Sequence, residues 1–96
     1  MNKIITKIIE LARRGTCIIG IEYADEAGVE TIRNLRIGDM SIREVPYGKA
    51  VTSALFTSDA GTELVRAVDH NTDELVRVFR VDRILSLTVD GTTITA

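Results

Sequence analysis

The chain has 96 residues, enough for one domain and one core, because a protein of this size withdraws only roughly 60–65% of its unfolded surface from water. With 45% apolar and 27% charged residues it has the composition of a soluble globular protein, and with two Phe, two Tyr and no Trp its core must be mostly Ile, Val, Leu and Ala. A formal net charge of −2 excludes a global attraction to nucleic acid or anionic membrane, and the single cysteine, Cys17, excludes an internal disulfide, which fits a reducing cytoplasm.

The spacing predicts a helix over about 2–14. Asn2 is a good capping residue, and Ile4, Ile5, Ile8, Ile9, Leu11 and Ala12 recur at helical intervals, with Lys3, Lys7, Glu10 and Arg14 mainly outside that stripe. Such a pattern is an amphipathic helix and not the continuous apolar run of a signal peptide. Arg13 and Arg14 suit the negative end of the helix dipole, and Gly15 ends the helix. A helix this short is unstable alone in water, so its isoleucine stripe must cover something apolar.

Strands are expected from about residue 17 onward. Cys17 to Tyr23 places Ile19, Ile21 and Tyr23 on one face, and Asp25-Glu26-Ala27-Gly28 turns the chain. Val29 to Ile37 returns with Val29, Thr31, Arg33, Leu35 and Ile37 on one face and Glu30, Ile32, Asn34 and Arg36 on the other. Pro46-Tyr47-Gly48 is a turn signal. Ala50 to Thr57 has strand composition, with a short helix over Lys49–Leu55 as the competing reading. After a turn at Asp59-Ala60-Gly61, Thr62 to Asp69 reads as a strand with Glu63, Val65, Ala67 and Asp69 sharing a face. His70-Asn71-Thr72-Asp73 is a polar turn, Glu74 to Phe79 a strand, Arg80 to Ile84 a tight turn, and Leu85 to Val89 a further strand. Asp90-Gly91 is a hairpin dipeptide, followed by a short strand over Thr92–Thr95. One helix followed by five or more short antiparallel strands predicts a mainly β fold, a small, strongly bent sheet or barrel with the helix closing one opening.

Val78-Phe79-Arg80-Val81-Asp82-Arg83-Ile84 is the most informative stretch, because two arginines and an aspartate sit among four apolar residues. Arg66-Ala67-Val68-Asp69-His70, then Arg77, then Phe79-Arg80-Val81-Asp82-Arg83-Ile84 resembles the C-terminal half of a WYL domain. The front half also fits, with Ile19-Gly20-Ile21-Glu22-Tyr23, a hairpin, and Thr31-Ile32-Arg33-Asn34-Leu35. Two departures stand out. Glu63-Leu64-Val65 occupies the place of the naming Trp-Tyr-Leu triplet, and the stretch between Arg33 and Glu63 is longer than usual. The resemblance implies a single SH3-like or Sm-like small β-barrel domain over 1–96. It also implies a regulatory sensor that binds single-stranded nucleic acid or a nucleotide-like, anionic ligand, and that usually accompanies a helix-turn-helix DNA-binding domain. No helix-turn-helix can be fitted to this chain.

Arg77, Arg80 and Arg83 recur at intervals of three, so a tight helical turn beginning at Arg80 would bring Arg80 and Arg83 to one side as a fork for phosphate or carboxylate. The alternative is internal: Asp82, Asp69, Asp73 or Glu74 pairs with these arginines and ties the turn down. Arg33, on the parity of Leu35 and Ile37, matches a family arginine and is a further ligand candidate, whereas Arg36 and Arg43 read as a solvated face. Phe79, Asp82 and Ile84 are assigned structural places in the motif, with Asp82 expected to face inward and to be satisfied by backbone amides, Arg33 or Arg77. Cys17 reads as small core filler, His70 has no second ligand at metal spacing, and no Gly-rich phosphate loop leads from a strand into a helix. These features predict a non-enzyme without cofactor or metal. A module of another class, for protein interaction or self-assembly as a homo-oligomer, is the alternative, because small barrels leave strand edges free.

Overall fold

A computed structural model describes residues 2–38 and 48–96. The turn expected at Pro46-Tyr47 and the solvated position of Arg43 lie outside the described residues. The element order is α1 (Lys3–Arg14), β1 (Cys17–Ala24), β2 (Glu30–Ile37), β3 (Gly48–Ala50), β4 (Leu55–Ser58), β5 (Glu63–Asp69), β6 (Leu75–Arg80), a single 3-10 turn (Val81–Arg83), β7 (Ile84–Val89) and β8 (Thr92–Thr95). The fold is mainly antiparallel β with one N-terminal helix, as the order of periodic segments requires. Among the described residues, no helix is long and apolar enough to cross a membrane.

Local chemistry sets the ends of α1. The Asn2 side-chain oxygen accepts from the Ile4 amide at 2.7 Å, which satisfies one of the helix's free donors. Ile4, Ile5, Ile8 and Leu11 are buried against the sheet, where α1 meets β7 and β8. Each such side chain contributes roughly 1.5–3 kcal/mol on burial, which holds a helix too short to persist by itself.

The strands pair in the order β3-β4-β5-β2-β1-β7-β8, and β6 branches from β5, so the described pairing is an open path and not a closed ring. β1 and β2 form a long hairpin from Cys17↔Ile37 to Ala24↔Glu30. The inward parity of β2 is as the sequence predicts: Leu35 and Ile37 are buried while Ile32 and Arg36 are exposed. The core joins Ile4 and Ile8 of α1 to Ile19 and Ile21 of β1, Leu35 and Ile37 of β2, Val65 and Ala67 of β5, and Ile84 and Leu87 of β7.

Residues 49–57 form neither the single strand nor the helix expected of them. β3 and β4 are the two arms of a hairpin, paired from Gly48↔Ser58 to Ala50↔Phe56. The reason is local. The Thr52 hydroxyl accepts from the Ala54 and Leu55 amides at 3.1 and 2.9 Å, and the Leu55 carbonyl accepts from the Val51 and Thr52 amides. A threonine hydroxyl that captures nearby backbone donors offers the chain a turn in place of helix or ladder.

Candidate functional site

The strand-to-turn corner between β6 and β7 is built from alternating buried and exposed positions. Phe79, Val81 and Ile84 are buried and pin the corner to the core, whereas Arg80, Asp82 and Arg83 lie nearer the surface. Arg80 Nε and Nη2 donate to the two carboxylate oxygens of Asp82 at 3.0 and 2.6 Å. This hydrogen-bonded contact holds the Asp82 carboxyl below its ordinary range. Arg83 Nη1 approaches Glu26 Oε1 of the β1–β2 turn at 3.7 Å. The fork expected from Arg80 and Arg83 is therefore already engaged: one guanidinium is clamped by its own turn and the other faces a carboxylate.

Asp82 does not face inward; its side chain is 59% exposed. Among the described residues the buried carboxylate is Asp69, at the end of β5 and wholly shielded from solvent. It accepts from Arg33 Nη1 at 2.6 Å and from the Asn71 amide at 2.9 Å, and Arg77 Nε lies 3.9 Å away. Desolvation pushes the Asp69 pKa up, but the Asn71 amide, Arg33 and Thr72 together outweigh it, so the carboxyl titrates below its ordinary value. Arg33 and Arg77 thus converge on Asp69 and not on Arg80 and Arg83. Topology explains this: Leu35 of β2 pairs with Asp69, and Arg33 lies two residues along the same face of β2.

The Arg33 guanidinium also lies over the Phe79 ring, 5.6 Å from its centroid, and Tyr23 packs edge-on against Phe79 with centroids 5.1 Å apart. The Tyr23 hydroxyl then accepts from the Arg80 amide at 3.0 Å. A register shift between Glu22 and Tyr23 in the β1–β7 ladder accompanies this placement of Tyr23. Sequence reasoning placed Tyr23 on the inward face but missed its hydrogen bond to β6. The available signal was a phenol at the end of a stripe of isoleucines, which needs a partner for its hydroxyl.

Two surface features flank this corner. Arg80 and Asp82 line a cleft of about 350 Å³ together with the helix-capping Asn2, Ile5 of α1, and Gly61 and Thr62 of the β4–β5 turn. On the other side runs β6, in which Leu75, Val76, Arg77 and Val78 are all exposed, the three apolar residues at 54%, 49% and 51%. Its apolar residues alternate to both faces, a pattern that in sequence resembles a doubly buried strand. β6 pairs with β5 alone among the described strands.

The remaining candidates are simpler. Cys17 is half-buried against the core, and burial, helped by Asp90 and opposed by Lys7, raises its thiol pKa and disfavours the thiolate. His70 Nδ1 lies 3.4 Å from Glu74 Oε1, and its Nε2 is buried without a hydrogen-bond partner among the described residues. No cluster of His, Cys, Asp or Glu among the described residues is placed to hold a metal. No protein-family model matches this chain, and no curated protein or solved structure matches it.

Proposed function

We propose that this chain is a non-enzymatic protein-interaction module of the cytoplasm whose binding element is the β6 edge. The observation that carries this reading is a run of consecutive exposed positions, Leu75-Val76-Arg77-Val78, on a strand that is paired on one side only among the described residues. Exposed apolar edge strands add a further strand from another chain readily, because main-chain hydrogen bonds and apolar contacts form together. The regulatory role implied by the WYL-like signature is compatible with such a module docking onto a DNA-binding regulator. Val78→Pro tests the reading, since proline on an open edge blocks strand addition while sparing the internal ladder. With wild type and Val78→Pro as baits against the proteome of the source organism, partners retained by wild type alone support the proposal. An identical retained set for both overturns it.

A second reading is favoured by the exposed Arg80 guanidinium in its cleft. Here an anionic ligand, single-stranded nucleic acid or a nucleotide-like molecule, displaces Asp82 from Arg80 and gains Arg83, with Arg77 and Arg33 holding the corner through Asp69. Titration of a single-stranded oligonucleotide and of a nucleotide at two salt concentrations tests it. Phosphate contacts weaken steeply with salt, and Asp82→Asn, which leaves Arg80 unneutralised, strengthens binding if the reading holds. Absence of binding by both proteins at low salt ends it.

A further inference from the structure

The open edge of β6 has a defined extent. The Arg80 amide donates to the Tyr23 hydroxyl and so points away from β5. In an antiparallel pair each residue turns both of its backbone groups to one side, and the next residue turns its own to the other. Val78 and Val76 therefore share the outward direction of Arg80, while Phe79 and Arg77 direct their groups toward Val65 and Ala67 of β5. Tyr23 closes the edge at Arg80, and the left-handed backbone of Asp73 and Glu74 (φ 53° and 55°) ends it beyond Leu75. Among the described residues, what remains open is the N–H and C=O of Val76 and Val78, with Arg77 between them.

Arg77 decides what fits there. Its Nε donates to Thr72 Oγ1 at 2.8 Å, and its terminal nitrogens have no hydrogen-bond partner among the described residues. Its side chain is 46% exposed. In a strand laid antiparallel on β6, the residue opposite Arg77 forms a close, non-hydrogen-bonded pair, and its two neighbours sit opposite Val76 and Val78. A second copy of β6 meets this edge poorly. The register that pairs Val76 of each copy with Val78 of the other places Arg77 against Arg77, and like charges directly opposite are destabilising. Arg33 adds to the positive charge around the buried carboxylate of Asp69.

We infer that the β6 edge takes a short extended strand from a different protein, with the pattern apolar–acidic–apolar and its carboxylate facing Arg77. This rests on the interaction-module reading above and adds the partner's chemistry. The valines supply the main-chain bonds and apolar contact; the guanidinium supplies selection against basic strands and against self-pairing.

The test uses the isotope-labelled full chain with two blocked peptides, Thr-Val-Glu-Val-Thr and Thr-Val-Lys-Val-Thr, titrated into the millimolar range while backbone amides are followed by NMR. The expected result is that the Glu peptide shifts the Val76 and Val78 amides, slows their exchange, and binds about tenfold more tightly than the Lys peptide. Arg77→Glu should invert that preference, a readout that loss of folding cannot mimic. Equal binding of both peptides at β6 overturns the acidic specificity while leaving β6 as the docking edge. No response of Val76 and Val78 to either peptide overturns both. Concentration-dependent dimerisation that protects these amides without peptide identifies a second copy as the occupant and overturns the inference.

Discussion

Asp69 is a position at which a single substitution should be costly. Its carboxylate is wholly buried, accepts from Arg33 at 2.6 Å and from the Asn71 amide at 2.9 Å, and lies 3.9 Å from Arg77. Asp69→Ala strands a guanidinium and an amide that were satisfied. Breaking a buried pair by removing one partner costs ~3–5 kcal/mol. The Arg33 side chain keeps 24% exposure and Arg77 keeps 46%, so water recovers part of the loss. The lower end, about 3 kcal/mol, is expected, against a total of roughly 5–15 kcal/mol for a domain. For a chain of this size that is a fall in melting temperature of ~12–24 °C. Asp82→Ala is the control: its ion pair with Arg80 is local and exposed, and such pairs contribute below ~1 kcal/mol. Thermal melts followed by circular dichroism, with wild type alongside, measure both. If Asp82→Ala falls as far as Asp69→Ala, or Asp69→Ala melts like wild type, the assignment of Asp69 as the buried structural carboxylate is refuted.

Further expectations concern the same network and the helix-to-sheet junction. Because the folded pKa of Asp69 lies below its unfolded value of about 3.9, its stabilisation is complete above that value. It is lost as the pH falls through the folded pKa, so wild type should lose stability more steeply than Asp69→Asn across that acid window in urea titrations. Tyr23→Phe removes the acceptor of the Arg80 amide and should cost about 1 kcal/mol. The Arg80 amide should then exchange faster with solvent, as hydrogen exchange would register. Gly38→Ala should destabilise by about 2–4 kcal/mol, since φ at Gly38 is +98° and an added Cβ would clash with the Gly15 carbonyl oxygen. Denaturant midpoints check this, with Gly61→Ala as the comparison: its φ is also positive, at +85°, but nothing lies within 4 Å of its added Cβ.

Local sequence suffices for whatever depends on neighbours along the chain. The isoleucine stripe from Ile4 to Leu11 and the Asn2 cap define α1, because helix periodicity and capping act within a few residues. Alternation defines which side of β1, β2 and β5 faces the core, because one face must be buried and a slip of one residue would reverse every side chain. The composition of Phe79 to Ile84 points to a strand, a tight turn and a strand for the same reason. Tertiary structure alone decided how the charges pair. Asp69 lies 36 residues from Arg33, and they meet because β2 and β5 are adjacent, a fact no local pattern encodes. Asp82 looked equally suited to the interior, yet a neighbour two residues away satisfied it at the surface at less desolvation cost than burial would demand. The hairpin of β3 and β4 depended on the Thr52 hydroxyl outcompeting strand propensity. The open edge of β6 was hidden for a similar reason. Leu75, Val76 and Val78 have the composition of a covered strand, and only the pairing order reveals that no described strand pairs on their far side.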